Sequence, residues 1–155
     1  MISQSAEYSL RAVLCLADAG AALTTQQIAL ATRVPAGYLS KVLQNLARAG
    51  IVSSQRGLNG GFTLARPPTE LTLLEVVAAV EKSRRIGECP LAIPEHAVNL
   101  CPLHRRLDAA AEAVERLLHA ATIADLVKES KNEPHVHACH ANKEPCHARH
   151  VALRD

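Results

Sequence analysis

The chain has 155 residues, 48% apolar and 21% charged, with a formal charge of +2. That is a soluble globular composition with room for one modest core, or a small domain plus an appendage. Aromatic residues are limited to Phe62, Tyr8 and Tyr38, with no Trp, against 27 Ala, which suits close-packed helices and weighs against modules that stack bases on several rings. Residues 1–70 hold six Lys/Arg against three Asp/Glu, and residues 71–155 hold eleven against twelve. A mildly basic N-terminal half fits local contact with a polyanion. No apolar run reaches membrane-spanning length, the N-terminus lacks a basic leader, and Asp18 interrupts its apolar stretch. This predicts a cytoplasmic protein with reduced thiols, whose five Cys point to ligands, sensors or buried thiols rather than disulfides.

Over residues 7–19, Leu10, Val13, Leu14 and Ala17 fall at helical spacing, with Cys15 among them as a buried small residue. Thr24 and Gln27 have capping-box spacing and open a short helix over 26–32, which Arg33-Val34-Pro35 breaks. A second helix is predicted over 36–49, with Leu39, Val42, Leu43 and Leu46 on one face and Gly50 as its stop. Two short helices and a tight turn form a helix-turn-helix pattern. The polar face carries Ser40, Lys41, Gln44 and Arg48. Ser, Lys and Gln there can bond base edges or phosphates, although a solvated face would look the same on an isolated helix.

Residues 51–65 read as two short strands, about 51–54 and 61–65, joined by a Gly-rich turn with Asn59-Gly60-Gly61. A helix-turn-helix followed by such a hairpin is the winged-helix arrangement. It places Arg56, Asn59 and Gly60 where a wing meets phosphates or the minor groove. Thr72 starts a further helix ending near Lys82, and a loop over 83–100 carries Cys89, Pro90, Pro94, Glu95 and His96. The next helix, from 102 to about 121, has Leu103, Leu107, Ala110, Ala111, Val114, Leu117 and Leu118 on its apolar side. So long a stripe predicts a homodimer on palindromic double-stranded DNA; covering its own domain is the competing explanation. The expected fold is mainly α, a winged helix-turn-helix with a two-stranded wing plus a long C-terminal dimerisation helix. The expected divisions are 1–66 for DNA binding, 67–127 for sensor loop and dimer helix, and 128–155 as a flexible tail.

Four stretches carry a resemblance to a known family. They are Glu7-Tyr8-Ser9-Leu10-Arg11-Ala12, Tyr38-Leu39-Ser40-Lys41-Val42-Leu43, Arg56-Gly57-Leu58-Asn59-Gly60-Gly61-Phe62-Thr63-Leu64-Ala65 and Thr122-Ile123-Ala124-Asp125-Leu126-Val127. Over about residues 1–127 the chain resembles the Rrf-two family of bacterial winged-helix transcription regulators. The resemblance implies a homodimer joined through the long helix, with Tyr38, Ser40, Lys41 and Arg56 at positions that face DNA. It also implies a sensor: cluster-binding members hold an iron–sulfur cluster with three Cys before the dimer helix and a fourth ligand that is His or acidic. Here only Cys89 and Cys101 are present, with Glu95 where the middle Cys would stand and His104 after them, while Glu7 falls where some relatives supply an acidic ligand from the partner subunit.

Cys101 precedes Pro102 and is the predicted N-cap, where a helix N-terminus favours anionic ligands; His104 lies on nearly the same face. Two thiolates with an imidazole or carboxylate suit a [2Fe–2S] cluster first, with a [4Fe–4S] cluster also open. The same set serves Zn²⁺ or another transition metal, and a degenerate sensor is the remaining reading. The tail gathers His135, His137, Cys139, His140, Cys146, His147 and His150, a tract able to bind Zn²⁺, Ni²⁺, Cu or haem.

The expected function is a DNA-binding repressor or dual regulator sensing redox, nitric oxide or iron status through the cluster. A cluster-free regulator responding to bound metal or thiol oxidation is the alternative, and a metal-storage protein built on the tail is the rival of another class. No phosphate loop, nucleophile motif or paired carboxylates appear, so no enzyme and no catalytic residue is predicted.

Overall fold

The computed structural model describes residues 2–55, 57, 60–90 and 100–132. Helix α1 (Gln4–Ala19) starts at Ser3, whose hydroxyl accepts from the Ala6 N–H at 3.2 Å, and ends at Gly20 in the left-handed region. It begins ahead of the apolar periodicity because the Ser3 cap sets its start. Its buried side is built of small residues: Ala6, Ser9, Ala12, Val13, Cys15 and Leu16. Cys15 is fully buried, as the apolar spacing predicts.

Helices α2 (Thr25–Thr32) and α3 (Ala36–Arg48) pack on each other and on α1. The expected capping box forms: Thr24 N–H donates to Gln27 Oε1 at 2.8 Å, and Gln27 N–H donates to Thr24 Oγ1 at 3.2 Å. Between the helices Arg33 takes φ 57° and Pro35 caps α3. Leu39, Val42, Leu43 and Leu46 form the buried face of α3, the side predicted from their spacing.

The wing is the antiparallel pair β1 (Val52–Gln55) and β2 (Gly61–Leu64), registered Val52 with Leu64 through Gln55 with Gly61. The first strand begins one residue late because the Ile51 N–H is spent on the Leu46 carbonyl at the helix exit (3.0 Å). Leu23 adds a bridge that the sequence did not reveal, exchanging N–H···O bonds of 3.0 and 2.8 Å with Phe62. A Cβ at Gly61 would sit 2.6 Å from the Leu23 carbonyl oxygen, so only glycine permits that approach.

A turn of 3-10 helix (Pro68–Glu70) leads into α4 (Leu73–Ala78), followed by α5 (Pro102–Ala120) and α6 (Ile123–Asn132). Helix α4 is shorter than expected. Past Ala78 the regular bonding ends in turns, with the N–H groups of Val80 and Glu81 both on the Val77 carbonyl at 3.1 and 3.0 Å, and the chain leaves the helix before Lys82. Helix α6 crosses position 127, where a flexible tail was expected to begin. It starts from a reciprocal cap in which Thr122 N–H donates to Asp125 Oδ2 (3.0 Å) and Asp125 N–H to Thr122 Oγ1 (3.2 Å). The chain entries to α4 and α6 pair across a Thr72–Thr122 bridge, with Ile123 N–H on the Leu71 carbonyl at 2.9 Å. This sets Ile123, fully buried, in the same core as Val13, Ile28, Leu43 and Val76. No helix among the described residues is long and apolar enough to cross a membrane.

Because α6 closes the core that α1 and α3 share, Ile123→Ala is expected to destabilise the whole domain by roughly 2–5 kcal/mol. Urea unfolding followed by circular dichroism checks this; a loss under about 1 kcal/mol would show α6 to be peripheral.

Candidate nucleic-acid interface and sensor site

On α3 the side chains of Tyr38, Ser40, Lys41, Gln44 and Arg48 are exposed on the face opposite the core. Ser40 Oγ turns back to the Ala36 carbonyl (3.0 Å) and Arg48 Nη1 to Asn45 Oδ1 (3.3 Å). Tyr38 is a special case. It is 39% exposed, yet its hydroxyl pairs with Ser5 Oγ at 2.5 Å and its ring stands edge-on to Tyr8, centroids 5.4 Å apart. Helix α3 is thus tied to the first turns of α1 through Tyr38.

Beside α3 stands the wing. Gly57 takes φ 122°, and Gly60 N–H donates to the Gly57 carbonyl at 2.9 Å. A Cβ at Gly60 would lie 2.6 Å from the Gln55 carbonyl oxygen, so this glycine closes the turn. Arg56 and Asn59, expected to face DNA, lie outside the described residues, as do Glu95 and the tail candidates His135, His137, Cys139, His140, Cys146, His147 and His150.

The second constellation lies at the N-terminus of α5. Cys101 is its N-cap and Pro102 its first residue, as predicted. His104 Nδ1 lies 3.3 Å from Cys101 Sγ and 3.7 Å from Cys89 Sγ, so two thiols and an imidazole converge. Cys89 is 9% exposed and Cys101 more open. Glu7 is elsewhere engaged: its carboxylate pairs with Arg11 at 2.6 Å on α1, and Arg11 also reaches the Thr32 carbonyl. Among the described residues no three His, Cys, Asp or Glu side chains are disposed as a metal-ion cage. The donor types of Cys89, Cys101 and His104 suit a soft metal or cluster, although among the described residues they are not spaced as a metal-binding group.

What carries Cys89 to this place was not visible in the sequence. Asp108 on α5 accepts Arg85 Nε at 2.7 Å and Nη2 at 2.9 Å, and also the Ile86 N–H at 2.8 Å. Further along α5, Ser83 Oγ donates to Glu115 Oε1 at 2.5 Å. Residues 83–89 therefore run antiparallel to α5 as a strap fastened at Glu115, Asp108 and His104. The bidentate Arg85 guanidinium and the Ile86 amide hold the Asp108 carboxyl down at about 2.

A family profile described as "Rrf2: Iron-dependent Transcriptional regulator" matches residues 2–129. The chain belongs to the Rrf2 family. Rrf2 proteins are DNA-binding transcriptional regulators, not enzymes. The chain is 38% identical over 130 residues to protein aau3 of Rhizobium meliloti, covering 82% of this chain and 84% of that one. It is 35% identical over 127 residues to the HTH-type transcriptional regulator NsrR of Geobacillus kaustophilus, covering 79% and 86%. Among solved structures, T. potens IscR superposes with a TM-score of 0.70 at 22% identity, covering 85% and 89%. CymR, the global cysteine regulator of B. subtilis, gives 0.69 at 24%, covering 83% and 97%. These two likenesses show the winged-helix fold that the Rrf2 motifs implied.

The depressed Asp108 carboxyl makes the strap acid-sensitive in one direction. Its folded value lies below the ordinary 3.8, so its contribution is complete above that value and is lost as pH falls through about 2. Carbon NMR of the Asp108 carboxyl should titrate near 2 and move up on Arg85→Ala; a titration unmoved by that substitution would remove the guanidinium as the cause.

Proposed function

We propose that this Rrf2-family chain is a homodimeric, cytoplasmic repressor. It reads a palindromic duplex with α3 and the wing, and it senses redox, nitric oxide or iron status through an iron–sulfur cluster at the head of α5. The observation that carries the DNA reading is the α3 surface: Ser40, Lys41 and Gln44 are exposed on one face of a helix whose opposite face is core, next to a two-stranded wing. In this reading α3 enters the major groove. Lys41 and Arg56 neutralise phosphates, Gln44 and Ser40 offer bonds to base edges, and the Asn59–Gly60 turn approaches the backbone.

The homodimer rests on α5. Its inner face docks on α4 and the strap through half-buried Ala111, Glu115 and Leu118. Its outer face leaves Leu103, Leu107, Val114 and Leu117 exposed, with Ala110 completing an alternating four-three spacing. That is the spacing of a helix seam waiting for a second helix.

The sensor reading rests on the convergence of Cys89 and Cys101 on His104. These three would hold a [2Fe–2S] cluster, with Glu7 of a second copy, or Glu95, as fourth ligand; a [4Fe–4S] cluster is the variant of the same reading. When bound, the cluster supplies redox and nitric-oxide reactivity. The chain's own part is to keep two sulfurs and a ring nitrogen together at a helix N-terminus, with the strap fixing one of the sulfurs.

A three-donor set with an open position is also what a single Zn²⁺ or other transition metal uses. That cluster-free reading is the second one these donor types support.

Two measurements test these readings. Alanine at Lys41 and Arg56 is expected to lower the log–log salt slope of DNA binding by about 0.9 for each phosphate left without its cationic partner; an unchanged slope sinks the proposed surface. Oxygen-free, iron-replete preparation should yield coloured protein with iron and acid-labile sulfide in equal amounts, and Cys101→Ser should abolish both. Colourless, iron-free protein from that preparation overturns the cluster, and zinc found in its place supports the second reading.

A further inference from the structure

The strap that carries Cys89 connects to the DNA-reading face through a continuous set of polar contacts. From Asp108 and Glu115 the strap leads back to Arg84, whose Nε donates to Glu81 Oε1 at 2.7 Å. The other oxygen of that carboxylate, Oε2, accepts the backbone N–H of Ser3 at 3.0 Å. Ser3 is the N-cap of α1. Two residues on, within the first turn of α1, Ser5 Oγ meets the Tyr38 hydroxyl on α3. Glu81 thus grips the strap with one oxygen and the start of α1 with the other, and its side chain is 15% exposed.

The surroundings leave this junction room to move. A cavity of about 110 Å³ opens between α4, α5 and the N-terminal segment, with Ile2, Val77, Ala111 and Leu118 in its wall beside Glu81 and Ser83. Side chains bordering a void lack packing partners on that side, so a shift of Glu81 or the strap disrupts little. The rest of α1 has no such freedom, because Ala6, Ala12, Val13 and Cys15 are fully buried. Displacement at the strap is therefore absorbed at the Ser3–Ser5 end of α1, the end that holds Tyr38.

We infer that Glu81 is a positioning residue that couples the docking of the 83–89 strap on α5 to the placement of Tyr38 on the recognition helix. With the strap docked, Glu81 fixes the Ser3 cap and Ser5 holds the Tyr38 hydroxyl, so the reading face is ordered before DNA arrives. With the strap released, Arg84 leaves Glu81, the first turn of α1 loses that anchor, and DNA binding bears the cost of ordering Tyr38. The inference deepens the regulator reading above and rests on its α3 surface. It does not require any particular group at Cys89.

A double-mutant cycle on the full chain tests it, using a duplex carrying the site the protein protects upstream of its own gene. Asp108→Asn frees the strap at its middle, and Ser83→Ala frees it at an exposed end without touching the interior. Either is expected to weaken DNA binding about fivefold or more in the unsubstituted background. In a Glu81→Gln background, where one oxygen is left for two donors, each should change affinity by less than about twofold. Hydrogen exchange supplies a second readout: DNA should slow exchange in the peptide spanning 83–89, and Glu81→Gln should remove that slowing. Equal losses in both backgrounds, or no loss in either, overturn the coupling while leaving the regulator reading intact. Failure of the unsubstituted chain to bind any fragment of its own promoter overturns the regulator reading itself, and the coupling with it.

Discussion

The structure depends on one helix face made of small side chains. Along α1, Ala6, Ser9, Ala12 and Cys15 are fully buried, and α2, α3, α4 and α6 all lean on this helix. Large residues at these positions would hold neighbouring helices apart; Ala, Ser and Cys allow a close approach. A chain with so few rings has no other means of closing a core around a central helix, and its Ala content now has a structural place. The arrangement also accounts for Ser9, a buried hydroxyl that donates to the Ser5 carbonyl and so adds no unsatisfied group.

Three helices that surround α1 begin with the same device. Thr24 with Gln27, Thr72 with Glu75, and Thr122 with Asp125 each exchange side-chain and backbone hydrogen bonds at a helix start. In α4 and α6 the acidic partner sits in the first turn, where the helix dipole favours it. The Thr72 amide with Arg66 holds Glu75 below the usual carboxylate range, and the Thr122 hydroxyl and amide do the same for Asp125. Because the Thr72 and Thr122 entries also bridge each other, the two caps fix both the starts of α4 and α6 and their mutual position. The C-terminal helix is by this means locked to the winged helix, and both belong to one core.

The parts legible in the sequence were those with a period or a local signature. The α3 face could be read from Leu39, Val42, Leu43 and Leu46, the wing from Asn59-Gly60-Gly61, and the α5 start from Cys101-Pro102, because each is a short-range pattern. Helix α6 was missed because its apolar residues stop at Val127, while Lys128-Glu129-Ser130-Lys131-Asn132 continue the helix with no period to follow. The sequence signal that could have found it was Thr122-x-x-Asp125, a capping box with Asp in place of Glu. The strap was invisible for a different reason. Its contacts join Ser83 to Glu115 and Arg85 to Asp108 across wide sequence separations, and nothing about an Arg-rich turn announces which carboxylates it will meet. The apolar stripe of α5 was read as one surface and is two: Ala111 and Leu118 face inward, while Leu103, Leu107, Val114 and Leu117 stay outside.

The 83–89 strap is fastened to α5 by polar groups rather than packed into the core. Arg85 and Asp108 are 41% and 19% exposed, so water can take over their hydrogen bonds when the strap leaves α5. In the proposed coupling, a ligand that prefers the docked or the released strap shifts the balance between them by its difference in affinity for the two. An apolar clamp would hold Cys89 more firmly, and it would tie the release of the strap to the unfolding of the domain. The same economy explains why the link to α1 is a single carboxylate. Glu81 touches the Ser3 cap, at the end where a helix yields most easily, and leaves the buried middle of α1 to keep the winged helix intact while Tyr38 is held or released.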